Sequence, residues 1–305
     1  MSLSILLSTF ANNILPIMLL AGAGYVLGRL LHIDSQSLGR VVFYVFMPAL
    51  VFSLLMHSEL RLREAVLVVS FVTTFILTMG AITFLSARLF RLERPLLTAV
   101  LVTTMFGNTG NYGLPLVSFA FGEGALRYAS LYFVTTTVLF NSLGVLIASL
   151  GHMNLREALL GLFKVPMIHA VILAVLVDAF RWQIPNPIDR AVEIAAGGSI
   201  PLMLILLGLE LTRVQWSSSL RPVAISVGLR LLIAPFVASF LAMPFALPPV
   251  LREASLLESS MPAAVNNTIL AKEYRLDSAL VTAIVFAGTL ISPLTLTPLI
   301  VFLGR

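Results

Sequence analysis

Three stretches of this chain, Ala65 to Ala87, Tyr128 to Gly151 and Ser278 to Gly304, contain no charged side chain. Each exceeds the roughly 20 apolar residues that a helix needs to cross a bilayer core of about 30 Å. Hydrophobic residues fill 59% of the 305 positions and charged ones only 11%, with a mean hydropathy of +1.02, far from the balance of a water-soluble domain. The chain is therefore read as an all-α integral membrane protein, with lipid as its first partner.

Hydrophobic segments between charged or proline-rich breaks fall at about 5–28, 36–56, 64–87, 95–122, 127–151, 156–180, 189–211, 220–246, 250–272 and 278–303. These ten predicted spans are joined by short connections that leave no room for a soluble domain. Lys164, Asp178, Glu210, Arg252 and Glu258 interrupt the sixth, seventh and ninth spans or crowd their ends. The N-terminus is apolar from Leu3 to Leu7 and lacks a basic region or a small-residue cleavage site. The first segment thus reads as a retained span, not a removed leader.

Charge sets the orientation. Eleven Lys and Arg fall in the odd-numbered loops and seven on the other side, with Arg230 inside a span. The positive-inside rule then predicts a multi-pass protein of the plasma (inner) membrane with both termini non-cytoplasmic. The same topology accounts for the net charge of +5, so the basic balance implies no nucleic-acid partner. With no cysteine, disulfides and thiolate metal sites are excluded.

The two halves resemble each other. "ILPIMLLAGAGYVLG" around Pro16 is similar to "KVPMIHAVILAVLVD" around Pro166, "FMPALVFSLL" around Pro48 to "SIPLMLILLG" around Pro201, and Pro115 pairs with Pro262. The offsets are 150, 153 and 147, about half the chain each time. Five spans per half is an odd number, so the second half enters the membrane from the opposite side, as in the inverted repeats of many secondary transporters. The predicted domains are residues 1–152 and 153–305. Chance alignment of common membrane prolines is the competing explanation.

Two polar interruptions occupy equivalent places in these halves. In "GNTGNYGLPL", Gly107 to Leu116, Pro115 removes an N–H and clashes with the carbonyl of Asn111. Gly107, Gly110 and Gly113 permit unwinding or close helix approach. Asn108 and Asn111 bring donors and acceptors that are costly facing lipid but useful to a polar ligand. In "ESSMPAAVNNTILAKEY", Pro262 is the breaker, with Asn266, Asn267 and Thr268 just beyond it. Irregular backbone survives in hydrocarbon only where it is buried in protein or lines a cavity. Paired broken helices predict a substrate site near the midplane, where half-helix N-termini favour an anion. Two proline kinks whose asparagines merely tie helices together would have the same sequence.

These residues resemble a known family. "GNTGNYGLPL" followed by "FAFGEGAL", together with "MPAAVNN" followed by "LAKEYRLD", is similar to the auxin efflux carriers, whose bacterial members include malate and malonate permeases. The resemblance covers all ten spans, and GNxGNYGxP is its most specific part. It implies that helices four and nine break and cross, as in the related bile-acid symporter fold. It also implies a scaffold of helices one, two, six and seven, a transport domain of helices three to five and eight to ten, and a homodimer joined through the scaffold. The implied substrate is a small organic anion, a carboxylate such as malate or malonate or an auxin-like acid, moved by an elevator-type mechanism. Carried over residue by residue, the implied site is Asn108, Gly110, Asn111 and Pro115 at the first crossover, and Pro262, Asn266 and Asn267 at the second. Asn141 stands for the asparagine that plant members place on helix five. This chain departs from plant members on helix three, where Ser70, Thr73, Thr74 and Thr78 replace an acidic and a basic residue, and it lacks their large cytosolic loop.

Ionisable residues inside spans are expensive and point to function. Glu258, one helical turn before Pro262, is a candidate for proton coupling or for supporting the broken backbone. Arg230, in "GLRLLIAPF", reads as a counter-ion for a substrate carboxylate or a partner of Glu258, with snorkelling toward an interface as the alternative. His169 reads as a hydrogen-bonded packing residue, since no second metal ligand is spaced for it. "GYVLG", Gly24 to Gly28, has the spacing of close helix packing, and Trp182 and Trp216 suit interfacial anchors. No cofactor or metal is expected. Without HExxH, GxSxG, a P-loop or paired catalytic aspartates, the chain is not read as an enzyme. Two transport readings stay open: an organic-anion carrier with or without proton coupling, and a sodium-coupled symporter of the bile-acid type.

Overall fold

A computed structural model describes residues 2–56, 61–149, 163, 165–213 and 219–304. Among them no strand forms. The helices are α1 (Leu3–Leu31), α2 (Ser35–Met56), α3 (Leu62–Leu89), α4 (Arg94–Met105), α5 (Leu114–Phe121), α6 (Glu123–Ala148), α7 (Pro166–Ala179), α8 (Asn186–Leu211), α9 (Leu220–Phe245), α10 (Pro249–Ser259), α11 (Asn266–Glu273) and α12 (Ser278–Leu303). Seven of them, α1, α2, α3, α6, α8, α9 and α12, are long and apolar enough to cross a membrane. The predicted fourth segment is split into α4 and α5, and the ninth into α10 and α11. The longest of these pieces has 12 residues, or about 18 Å at 1.5 Å per residue, too short to cross alone. Of the predicted sixth segment, α7 is described; its start, with Lys164, lies outside the described residues, as does Trp216.

Five π turns interrupt the helical path, at Phe10–Ile14, Val42–Phe46, Thr109–Gly113, Phe140–Gly144 and Leu229–Ile233. Four of them lead directly into a proline, namely Pro16, Pro48, Pro115 and Pro235. Proline offers no N–H and its ring presses on the carbonyl one turn back. Widening that turn by one residue relieves the clash without ending the helix. The fifth π turn has no proline; there the Asn141 amide donates to the Thr137 carbonyl at 2.8 Å.

Small residues bring α1 and α8 together. A Cβ on Gly24 would strike the backbone of Ile205, and one on Gly208 would strike the backbone of Ala21 and Tyr25, so the close packing read from "GYVLG" is present. Gly208→Val is expected to lower the thermal midpoint of the purified protein, because overpacking costs about 1–3 kcal/mol and backbone cannot rotate aside. Gly22→Ala, with nothing within 4 Å of the added methyl, should leave the midpoint unchanged or raise it. Equal midpoints for both variants would refute the close approach.

Beside this pair, α7 packs on α2 through Phe52, Ala170, Ala174 and Val177. Asp34 caps α2, accepting from the Ser37 hydroxyl at 2.7 Å and from the amides of Gln36 and Ser37. Arg213, just past α8, pairs with it at 2.9 Å. The Ser37 hydroxyl and then those amides hold the Asp34 carboxyl down to about 2. Its contribution to stability is therefore present above the ordinary carboxylate range and is lost only as pH falls through about 2. His169 is exposed on α7, so it is not the packing residue the sequence suggested. The helical period turns it outward while its neighbour Ala170 faces α2. Trp182 is exposed and stacks on Phe180, with ring centroids 5.3 Å apart.

Hydroxyl pairs tie the short helices to the long ones around them. Thr104 of α4 meets Thr83 of α3 at 2.8 Å, and Thr103 meets Ser226 of α9 at 2.9 Å. Ser259 of α10 meets Tyr132 of α6 at 2.9 Å, and Tyr112, just before α5, meets Ser292 of α12 at 3.2 Å. Such contacts join helices where apolar burial gives no preference for one neighbour over lipid.

Candidate functional site

The break after α4 begins where Phe106 turns extended, and it passes through Gly107 and Asn108 before the π turn at Thr109–Gly113. The break after α10 runs from Ser260 to Val265. The two lie against each other as a short antiparallel bridge between Gly107 and Ala263. The Asn108 amide donates to the Pro262 carbonyl at 2.7 Å, and the Ala264 amide to the Phe106 carbonyl at 3.0 Å. The Asn267 side chain adds a second donor to the Phe106 carbonyl at 3.1 Å. Each break thus satisfies backbone groups that the other has lost, which is what allows non-helical chain inside a dry bundle. Pro262, with no N–H, takes part through its carbonyl.

Arg230, in the π turn of α9, is the largest fully buried side chain among the described residues. Its Nε donates to the Met261 carbonyl at 2.7 Å and its Nη1 to the Thr104 carbonyl at 3.2 Å. The guanidinium lies over the Phe75 ring, 5.8 Å from the centroid. Thr104 is in the last turn of α4 and Met261 follows the end of α10, so Arg230 sits where two helix C-termini bring partial negative charge. A Cβ on Gly107 would fall on the guanidinium, so only glycine leaves it room. Of the roles open in the sequence, burial rules out snorkelling, and two donors are committed to the backbone.

Glu258 has the opposite setting. It lies in the last turn of α10, fully buried, with its carboxylate against Gly113, where a Cβ could not fit. Gly113 closes the π turn that runs into α5, and its amide is already bonded to the Asn108 carbonyl at 2.9 Å, so this carboxylate lies against helical backbone whose donors are spent. Arg230 lies within electrostatic reach. Neither Glu258 oxygen has a hydrogen-bond partner among the described residues.

Around this frame lie further buried polar atoms without a partner among the described residues: Asn108 Nδ2, Asn111 Oδ1, Asn267 Oδ1 and Thr136 Oγ1. Gly110 lets α6 and α2 close in, since a Cβ there would meet Phe133 at 2.9 Å and Met47 at 3.2 Å. Phe140 packs edge-on against Phe106, with centroids 5.3 Å apart.

Other sequence candidates are placed differently. Asn266 is exposed, whereas Asn267 beside it is fully buried. Successive helical residues point about 100° apart, so one of the pair had to face away. Asn141 is half-buried, with its amide engaged by the Thr137 carbonyl. Pro115 is buried at the start of α5, shaping the π turn. Glu210 escaped the sequence reading except as an interruption of the seventh span. It accepts from Asn111 Nδ2 at 3.4 Å, and nothing local in the sequence links residues 99 apart.

A family model described as membrane transport protein matches residues 9–158 and 149–300, so both breaks are inside the match. The chain belongs to this family, that of the auxin efflux carriers. It is 30% identical over 290 residues to an uncharacterized transporter of Methanothermobacter thermautotrophicus, covering 93% of this chain and 95% of that one. It is 25% identical over 296 residues to an uncharacterized transporter of Methanocaldococcus jannaschii, covering 93% and 95%. A Rhizobium meliloti protein provisionally named a malonate transporter is 23% identical over 300 residues, covering 94% of this chain and 93% of its own. This member of the membrane transport family is thus matched along nearly its whole length, with several apolar helices that make it a multi-pass membrane protein.

Proposed function

We propose that this family member carries a small organic anion, with a dicarboxylate of the malonate type as the first candidate, and binds it at the two facing breaks. One observation supports the reading most: the breaks coincide with buried polar atoms that have no partner among the described residues, Asn108 Nδ2 foremost. A carboxylate needs donors, and Asn108 Nδ2 and Asn111 Nδ2 supply them in a buried setting where each hydrogen bond to an ion is strong. The relative named for malonate transport motivates the substrate class.

In this reading α4/α5 and α10/α11 are crossing broken helices of two inverted five-helix repeats, residues 1–152 and 153–305. They move with α3, α6, α9 and α12 against a scaffold of α1, α2, α7 and α8 that also forms a homodimer. The division has support in the packing: glycine contacts join α1 to α8, while hydroxyl pairs bind the broken helices to α3, α6, α9 and α12. Counterflow of labelled malonate in proteoliposomes tests the function. Label should accumulate with the wild type and not in protein-free vesicles, and replacing sodium by choline should leave uptake unchanged. Absence of counterflow with malonate, malate and indole acids alike would sink the anion reading.

A second reading, sodium-coupled symport, draws on the unpartnered oxygens. Both Glu258 oxygens, Asn111 Oδ1, Asn267 Oδ1 and Thr136 Oγ1 are acceptors, the atoms a hard cation selects. Collapse of uptake in choline would choose it.

A further inference from the structure

Glu210 lies in the last turn of α8, a half-buried carboxylate in an apolar helix. Among the described residues its hydrogen-bond partner is the Asn111 side-chain amide, at 3.4 Å. The helix end that delivers it is fixed on both sides. Two residues before, Gly208 packs on the backbone of α1; three residues after, Arg213 is held by Asp34 at 2.9 Å. Asn111 comes from the opposite side of the contact, in the π turn ahead of α5, with its Oδ1 unpartnered. A carboxylate of the protein therefore occupies one of the two side-chain amides available to an anionic ligand at the breaks.

We propose that Glu210 is a built-in competitor for the transported anion: its carboxylate holds the Asn111 amide and must leave it for the substrate carboxylate to bind. The proposal rests on the anion-carrier reading above. Chemistry supports the substitution, since both acceptors are carboxylates making the same hydrogen bond. The length of the contact supports it too, because 3.4 Å is beyond the usual range of a charge-assisted bond and such a contact yields to a better-placed acceptor. In its ionised form Glu210 also sets selectivity. It repels a ligand that brings a second carboxylate close to α8 more than one that ends in a neutral amide, so Glu210 weighs dianions against monoanions.

The test uses the purified full-length protein and thermal-shift titrations with malonate and with malonamate, its monoamide. Glu210→Gln keeps the shape and removes the charge. It should lower the malonate concentration that gives half the maximal shift by roughly tenfold, the loss of one charged hydrogen-bond competitor. The change for malonamate should be smaller, which a merely structural role of Glu210 would not produce. Glu210→Asp keeps the charge but withdraws it by one methylene and should lie between Gln and wild type, which gives a second measurement should the Gln variant fail to fold. A wild-type response to malonate that neither variant alters, or variants that shift malonate and malonamate equally, would overturn the competitor and leave the carrier reading standing. No response of the wild type to either ligand would overturn the anion reading, and the competitor with it.

Discussion

Arg230→Met should lower the thermal midpoint of the purified protein more than any other single substitution named here. The change leaves the Thr104 and Met261 carbonyls without their donors and the buried Glu258 without its nearby positive charge. Removing one member of a buried, hydrogen-bonded charge arrangement costs about 3–5 kcal/mol, mostly because the remaining groups stay buried and unpaired. Arg230→Lys should recover only part of the loss, since a single ammonium cannot reproduce two donors held in one plane. Adding Glu258→Gln to Arg230→Met should also recover part, by replacing a buried carboxyl left without its positive neighbour with a neutral amide. Thermal unfolding in detergent, with size-exclusion chromatography as a check on assembly, measures all three. A midpoint for Arg230→Met within error of the wild type would show that the clamp on the two helix ends contributes nothing.

That clamp marks the limit of what sequence alone makes legible. Hydropathy locates the spans because each helix must bury or expose its apolar length whatever it packs against, so the long helices match their predicted segments. The breaks were legible for a related reason: glycine, asparagine and proline together cannot continue a helix whatever surrounds them. Partner choice is another matter. Asn267 donates to a carbonyl 161 residues away, and Arg230 to one 126 residues away, and no local pattern encodes such pairs. Asn266 and Asn267 are identical in type and adjacent in sequence, yet the register of α11 buries one and exposes the other. Glu210 looked like a charge crowding the end of a span, and its contact with Asn111 exists only once α8 and the first break are side by side.

Asn108→Ala and Asn267→Ala should separate function from framework. Asn108 Nδ2 makes no hydrogen bond among the described residues, so truncating it removes little that holds the fold together. Its thermal midpoint should stay close to the wild type. Malonate counterflow should nevertheless fall by about 10- to 150-fold, the range for one hydrogen bond to a charged group at about 1.5–3 kcal/mol. Asn267 is the reverse case: its amide already supports the Phe106 carbonyl at 3.1 Å inside the paired breaks. Asn267→Ala leaves that carbonyl with the Ala264 amide as its remaining donor, so the midpoint should drop. Asn108→Ala transporting like the wild type would remove the proposed anion donor from the site. A lowered midpoint for Asn108→Ala would instead make it a framework residue like Asn267. The two variants are informative as a pair because both asparagines lie at the same junction, equally buried in practice, and differ in whether their amide is already spent on the protein itself.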